Sequence, residues 1–352
     1  MAVYAVWNNK GGVGKSYLTF QVASEYARTN PDKKVLVVDL CPQANSSSML
    51  LGGMVDGELA LEAIHQANPR KTIAGYVEGR IFSPYVNPNN GAGFITHVRP
   101  VNGRVPDNLY LVVGDEQLEI QSSRVTAAAF PGPQDAWRIV HTWISDLIND
   151  IAASWNGAAM TVFIDCNPSF SIYTELALSA ADRMIIPFSA DGSSKRAVRA
   201  VLSLAYGVVR QVGQQQSEFF LNSNRFRMSF PKIYMYVGNR LTQANQSSAA
   251  AFKTVVNEIG DEIHAVWLAN SNLFEVHPTG TQPPANKKAF KSMFQYEVND
   301  ANTASVVSGA RGIPISGLTA GKIDVVGRTV TVNQSQLDKQ VPNIKALVSA
   351  IQ

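Results

Sequence analysis

Asn9-Lys10-Gly11-Gly12-Val13-Gly14-Lys15-Ser16 sits between an apolar run, residues 2–7, and a segment whose apolar residues fall at helical spacing. Strand, glycine-rich turn and helix start, in that order, make a phosphate-binding loop. The glycines let the backbone curl with its N–H groups turned inward. The helix N-terminus adds positive potential at the same place. The pattern aims Lys15 at the β- and γ-phosphates of a nucleotide and gives Ser16 to Mg²⁺. A turn that binds nothing does not require the strand and helix that flank this one.

Working outward, the helix spans residues 16–29, with Leu18, Val22, Ala23 and Tyr26 on one face. Asn30-Pro31-Asp32 ends it. Residues 35–38 are apolar without alternation, as in a parallel strand covered on both sides. That strand delivers Asp39-Leu40-Cys41-Pro42-Gln43-Ala44-Asn45-Ser46. A second buried strand, residues 160–164, closes with Asp165-Cys166-Asn167-Pro168-Ser169. An apolar strand that brings a carboxylate beside a phosphate loop has Walker B character, and Asp165 is expected to hold Mg²⁺ through its water shell. Further strands are expected at 109–113, 184–188 and 233–237, the last running into Gly238-Asn239-Arg240.

Phosphate loops commonly begin with glycine where this chain has Asn9, and they lack the second lysine, Lys10. KGGVGKS resembles the deviant Walker A motif of the ParA/MinD family of nucleotide-dependent positioning ATPases. Residues 39–46 are similar to that family's switch I, Asp-x-Asp-Pro-Gln-x-Asn. Asp39, Pro42, Gln43 and Asn45 match. Cys41 does not, and it stands where the family carries the aspartate credited with orienting the attacking water. A thiol is mostly protonated at neutral pH and accepts poorly. Two readings stand: slow hydrolysis with a long-lived ATP-bound state, or ordinary turnover with Asp39 or another group in that role.

The resemblance covers residues 2–48 and 160–240. It implies an α/β P-loop NTPase, with a mostly parallel twisted sheet and helices on both faces. It implies ATP and Mg²⁺ as cofactors, held by Lys10, Gly11, Gly12, Val13, Gly14, Lys15, Ser16 and Tyr17, with Asn239 and Arg240 near the base. Ser16, Asp165 and Asp39 are the implied metal residues. Lys10, Lys15 and Asp39 are the implied catalytic ones. Lys10 would cross a homodimer interface formed on ATP and contact the partner's nucleotide. The family further implies slow ATP hydrolysis stimulated by a ParB-like partner, and ATP-dependent nonspecific DNA binding that segregates a plasmid or chromosome region or positions a large cargo.

Composition is consistent with these expectations. The 352 residues are read as one nucleotide-binding domain, with insertions near 54–108 and 213–231. Hydrophobic residues at 45% and charged ones at 16% supply a large core and argue against disorder. A net charge of +3 neither demands nor opposes a nucleic-acid partner. Two cysteines exclude a disulfide scaffold. No apolar run approaches the roughly 20 residues that span a bilayer. The expectation is a cytoplasmic protein, nucleoid-associated if it binds DNA, with no membrane partner. The closing segment, 341–351, has Lys345 as its one cation and no aromatic, unlike a membrane-seeking amphipathic helix.

The remaining segments are less specific. Residues 84–106 are rich in Pro, Asn and Gly and read as loop. From Trp137, apolar gaps of three and four run to Trp155 as one long amphipathic helix whose tryptophans face the core. A helix over 194–212 carries Lys195, Arg196 and Arg199 in its first turn, against the macrodipole. That points either to an anionic neighbour or to a solvated turn. In 214–231, Arg225 and Arg227 alternate with Phe219, Phe220 and Phe226, a pattern of nucleic-acid contact or of an anchored surface loop. Lys287, Lys288 and Lys291 form a local cationic cluster. Val325-Val326-Gly327-Arg328-Thr329-Val330 reads as a hairpin with a glycine-first turn.

Overall fold

The computed structural model describes residues 1–352 except 131, 212 and 242–245, and except the side chains of 240–241 and 246–252. Ten strands are named among the described residues: β1 Ala2–Val6, β2 Lys34–Asp39, β3 Ile95–His97, β4 Leu109–Val112, β5 Met160–Asp165, β6 Arg183–Phe188, β7 Lys232–Leu241, β8 Gln295–Asn299, β9 Gly321–Val325 and β10 Arg328–Val332. The helices of the first half are α1 Lys15–Thr29, α2 Asn45–Leu51, α3 Gly53–Gln66, α4 Ile73–Phe82, α5 Gln117–Ala129, α6 Ala136–His141 and α7 Trp143–Ser154. Those of the second half are α8 Ile172–Ala180, α9 Ser194–Tyr206, α10 Glu218–Arg225, α11 Gln246–Ala269, α12 Lys287–Phe294, α13 Thr303–Arg311 and α14 Gln334–Ser349.

Eight strands form one sheet in the order β3-β4-β2-β5-β1-β6-β7-β8. Every pairing is parallel except β3 with β4. Side chains alternate faces along a strand, and both faces are covered. In β1, Val3 and Ala5, followed by Trp7 just past the strand, enter one core with α4–α9, whereas Tyr4 and Val6 enter the other with α1, α13 and α14. That double burial is why these strands read as unbroken apolar runs. The expected α/β architecture is therefore the observed one.

Several local expectations are corrected. The 54–108 stretch contributes to the core and the sheet: Ile73, Tyr76 and Val77 of α4 are buried, and β3 extends the sheet antiparallel at its edge. In 213–231, Phe219 is 2% exposed, Phe226 stacks on Trp137 and Phe220 on Phe230. These rings anchor α10 and offer no platform for bases. The 137–155 helix is two helices, broken at Thr142, and Trp137 and Trp143 are core residues as expected. The helix expected to reach 212 stops at Tyr206, where Gly207 takes a φ of 63°. Val212 lies outside the described residues. The hairpin is β9–β10, but Val326 leads its turn, and Val326 and Gly327 both have positive φ. That is the type I′ pattern rather than the glycine-first one.

Candidate phosphate-loop site

The parallel register builds the site. Asp39 at the end of β2 lies opposite Asp165 at the end of β5, and Asp165 lies opposite Val6 of β1. Two carboxylates and the phosphate loop thus meet at the C-terminal edge of three adjacent strands, where ligands of open α/β sheets bind. Gly12 and Gly14 have φ of 77° and 76°, a left-handed backbone that carries a heavy penalty for any residue with a Cβ. They turn the loop back onto the first turn of α1.

Lys15 is buried at 6% exposure, and its Nζ donates to the carbonyls of Lys10 at 2.8 Å and Asn8 at 3.3 Å. Burial lowers its pKa, while the Asp165 carboxylate opposes that shift. Asp165 is fully buried, and no hydrogen bond of ordinary geometry reaches either of its oxygens, although the Ser16 and Ser46 hydroxyls stand close enough to favour its charged form. Burial, then the charge of Asp39, pushes Asp165 up to about 7.

Asp39 is held differently. Its Oδ2 accepts from Ser47 N at 3.0 Å and Ser47 Oγ at 2.7 Å, and its Oδ1 accepts from Cys41 N at 3.0 Å. The carboxylate thereby ties down the start of the 40–47 segment. Ala44 caps α2 in a left-handed conformation, φ 49°, a strained state for alanine. Gly114, after β4, donates to Ser47 Oγ at 2.9 Å. A Cβ at that position would stand 2.7 Å from Asp39 Cγ, so glycine alone fits. Cys41 is 5% exposed, and burial followed by the charges of Asp39 and Asp165 raises its thiol to about 12. Cys166 is raised as well, chiefly by burial.

Of the other residues singled out in the sequence, Gly11, Val13 and Ser16 lie in the loop, with Val13 buried and Ser16 half-buried. The Tyr17 hydroxyl donates to Gln340 of α14 at 2.7 Å. Its side chain is therefore engaged with the C-terminal helix. Asn239 reaches the loop: its Nδ2 donates to the carbonyls of Val13 at 2.9 Å and Gly14 at 3.2 Å, and its Oδ1 is buried without a partner. The Arg240 side chain lies outside the described residues.

Lys10 does not point away from its own chain. Its Nζ donates to the carboxylate of Asp191, and to Ser189 Oγ and Ser194 Oγ at 3.2 Å each. The sequence offered no signal for this, because Asp191 lies in the β6–α9 connection. Of the two readings of the first-turn cations of α9, an acidic neighbour holds for Lys195 and Arg199, while Arg196 has no acid partner among the described residues. Lys195 pairs with Glu258, and Arg199 and Arg210 with Glu262, all on α11. Lys287 and Lys291 pair with Asp261 of the same helix.

The AAA domain family matches residues 1–216, more than half of the chain. A putative replication protein A of Rhizobium rhizogenes is 24% identical over 226 residues, which takes in 64% of this chain and 49% of that protein. The chain thus spans about half the length of that relative. Among solved structures, apo McdA of Cyanothece has a TM-score of 0.59 at 13% identity, covering 98% of both chains. An ATP complex of McdA has a TM-score of 0.58 at 13% identity, covering 100% of this chain and 98% of that one. Both likenesses are of fold. With the family model matched over residues 1–216, this chain belongs to the AAA domain family.

Proposed function

We propose that this chain is an ATP-dependent dimerising switch of the ParA type, an ATPase that positions or segregates DNA or another large cargo. One observation carries the reading: the fully buried Asp165 carboxylate has no hydrogen bond of ordinary geometry, with only the Ser16 and Ser46 hydroxyls near it, beside a buried Lys15 whose ammonium donates to loop carbonyls. An ionised group in that state is costly unless a ligand completes it. A triphosphate with its Mg²⁺ supplies an anion for Lys15 and a cation for Asp165.

The residues present fit that ligand. Carboxylate and hydroxyl oxygens suit Mg²⁺. Ser16 and Asp165 would hold the ion, and the backbone N–H groups of residues 11–17 with Lys15 would hold the phosphates. Mg²⁺, when bound, supplies charge neutralisation at the phosphates. The chain's own residues supply orientation. Asn239 braces the loop from β7, and Asp39 fixes the switch segment through Ser47 and Cys41. On dimerisation Lys10 exchanges Asp191 for the partner's nucleotide, and nucleotide binding thereby stabilises the dimer. Hydrolysis, stimulated by a ParB-like partner, removes the γ-phosphate contacts and releases it. Contacts to nonspecific DNA would be made by cations that α11 leaves free; Arg196 and Lys288 have no acid partner among the described residues.

A second reading has its own observation. The Cys41 thiol, raised to about 12, is protonated at neutral pH and makes a weak water-orienting group. It favours a nucleotide-locked scaffold that hydrolyses very slowly. A membrane-surface regulator is disfavoured, because Leu337, Ile344, Leu347 and Val348 of α14 are buried in the core and leave no apolar face for lipid. No described helix is long and apolar enough to cross a membrane.

The deciding experiment is ATP turnover with and without nonspecific duplex DNA, beside the mass of the protein in ATP and in ADP. Dimerisation on ATP with slow, stimulated turnover supports the switch. A tight ATP dimer without turnover supports the scaffold. A monomer in every nucleotide state removes the role given to Lys10.

A further inference from the structure

The phosphate loop caps one end of α1; a second cleft opens at the other. It encloses about 460 Å³ between the last turns of α1, the 99–108 connection and the 314–317 loop. Ligand pockets for small molecules start near this size. Its ionisable lining is Arg28, Arg99, Arg104 and Asp107; Glu25 pairs with Arg28 and Asp56 stands 3.6 Å from Arg104 Nη1, so Arg99 is the lining arginine with no acid partner among the described residues. Asp107 is itself paired with His97 at 3.2 Å.

Each arginine is oriented by the protein and keeps donors in reserve. The Nε and Nη2 of Arg28 are held by Glu25, which leaves Nη1. Arg99 uses Nη1 on the Val105 carbonyl at 2.6 Å, and Arg104 uses Nη1 on the Arg311 carbonyl at 2.9 Å. Guanidinium groups fixed in this way suit the geometry of phosphate oxygens. Ser24, on the α1 wall of the cleft, adds a buried hydroxyl with no hydrogen-bond partner. Three prolines give the lining rigid apolar surface.

We propose that this cleft is a second ligand site, which binds a small phosphorylated molecule through Arg28, Arg99 and Arg104. The fifteen residues of α1 put it about 22 Å from the phosphate loop. The two sites are therefore separate in space, and this proposal does not rest on the function given above.

Inorganic pyrophosphate is the probe. It is titrated calorimetrically into the full chain with Mg²⁺ and a nonhydrolysable ATP analogue in excess, and again without them. The expected result is one pyrophosphate site that persists in excess analogue. Its affinity falls at least tenfold in an Arg99→Gln/Arg104→Gln variant and is unchanged in an Arg225→Gln/Arg227→Gln variant. All four of these arginines are exposed, so each variant keeps the fold. The proposal is overturned if no pyrophosphate binds once the analogue is present, if the Arg99/Arg104 variant binds as tightly as the parent, or if the Arg225/Arg227 variant loses as much. Failure of the analogue itself to bind would count against the phosphate loop alone, and the arginine variants would still decide this site.

Discussion

Lys10, the lysine that distinguishes this phosphate loop, is ion-paired with Asp191 of its own chain. Burial alone would raise Asp191, but the Lys10 ammonium with the Ser189 and Ser193 hydroxyls outweighs it and holds the carboxyl well below the usual range. The pair is a lock on the residue assigned to the dimer. If Lys10 reaches across a dimer interface as proposed, this pair must break first, and its strength would set part of the threshold for dimerisation.

Asp191→Asn should therefore strengthen dimerisation in ATP. The pair is partly exposed, 22% for Lys10 and 48% for Asp191, and such pairs contribute about 1 kcal/mol or less. Each dimer breaks two such pairs, so the expected gain is up to about thirtyfold in the dimer constant, read by sedimentation velocity in ATP. Lys10→Ala should abolish the nucleotide dependence. An Asp191→Asn chain that dimerises like its parent would mean the lock has no thermodynamic weight.

Cys41→Asp should raise ATP turnover at least tenfold, since a positioned acid–base group contributes about 10²–10⁴. The same change adds a third carboxylate beside Asp39 and Asp165, so the nucleotide-free protein should melt at a lower temperature. Faster turnover with lower apo stability is the signature. An unchanged rate would show that water is oriented from elsewhere.

Asp165 predicts the pH dependence of the nucleotide-free protein in chelator. Burial and the Asp39 charge lift its folded pKa to about 7, far above the ordinary carboxylate range, so the folded state holds the proton more tightly than the unfolded chain does. The stability that this proton contributes is fully present below the ordinary carboxylate pKa and is lost as pH rises through about 7. Asp165→Asn should flatten this segment of the urea-denaturation profile and stabilise the apo protein at pH 8. A profile that keeps its slope in the variant would assign the proton elsewhere.

Gly114→Ala should destabilise by about 1–3 kcal/mol, the usual range for overpacking. Its Cβ would meet Asp39 Cγ at 2.7 Å and Asp39 Oδ2 at 2.8 Å, and the carboxylate cannot retreat without losing Ser47. Chemical denaturation measures the loss. Nucleotide affinity should fall with it, because Ser47 and Asp39 anchor the switch segment together.

What the sequence disclosed and what it hid divide along a physical line. The six strands read from it are interior, and burial on both faces leaves continuous apolar runs such as Val35–Val38 of β2. β3 and β8 escaped notice because they are edge strands: Gln295-Tyr296-Glu297-Val298-Asn299 has only Val298 fully buried. The loop, Asp39 and Asp165 were legible because they are local to strand ends. Their partners were not. Asp191 is 181 residues from Lys10, and Glu262 is 63 from Arg199. The misplaced cations of α9 did signal that an anion was needed, but no local pattern names the helix that provides it.

That helix carries the last prediction. Glu262 of α11 lies within salt-bridge distance of Lys195, Arg199 and Arg210, and Asp261 within that of Lys287 and Lys291. These cations include much of what the sequence offered as a basic surface, and α11 neutralises them. Arg199 and Lys195 together lower the Glu262 carboxyl, so it stays ionised through the neutral range. If this face meets DNA, the acids compete with phosphate for the same ammonium and guanidinium groups. Asp261→Asn with Glu262→Gln should then tighten binding to nonspecific duplex in ATP and steepen its salt dependence, by roughly one unit of slope for each cation released. Fluorescence anisotropy from 50 to 200 mM salt reads both quantities. Tighter binding with an unchanged slope would reflect net charge alone, and no change in either would move the DNA surface off the α9–α11–α12 face.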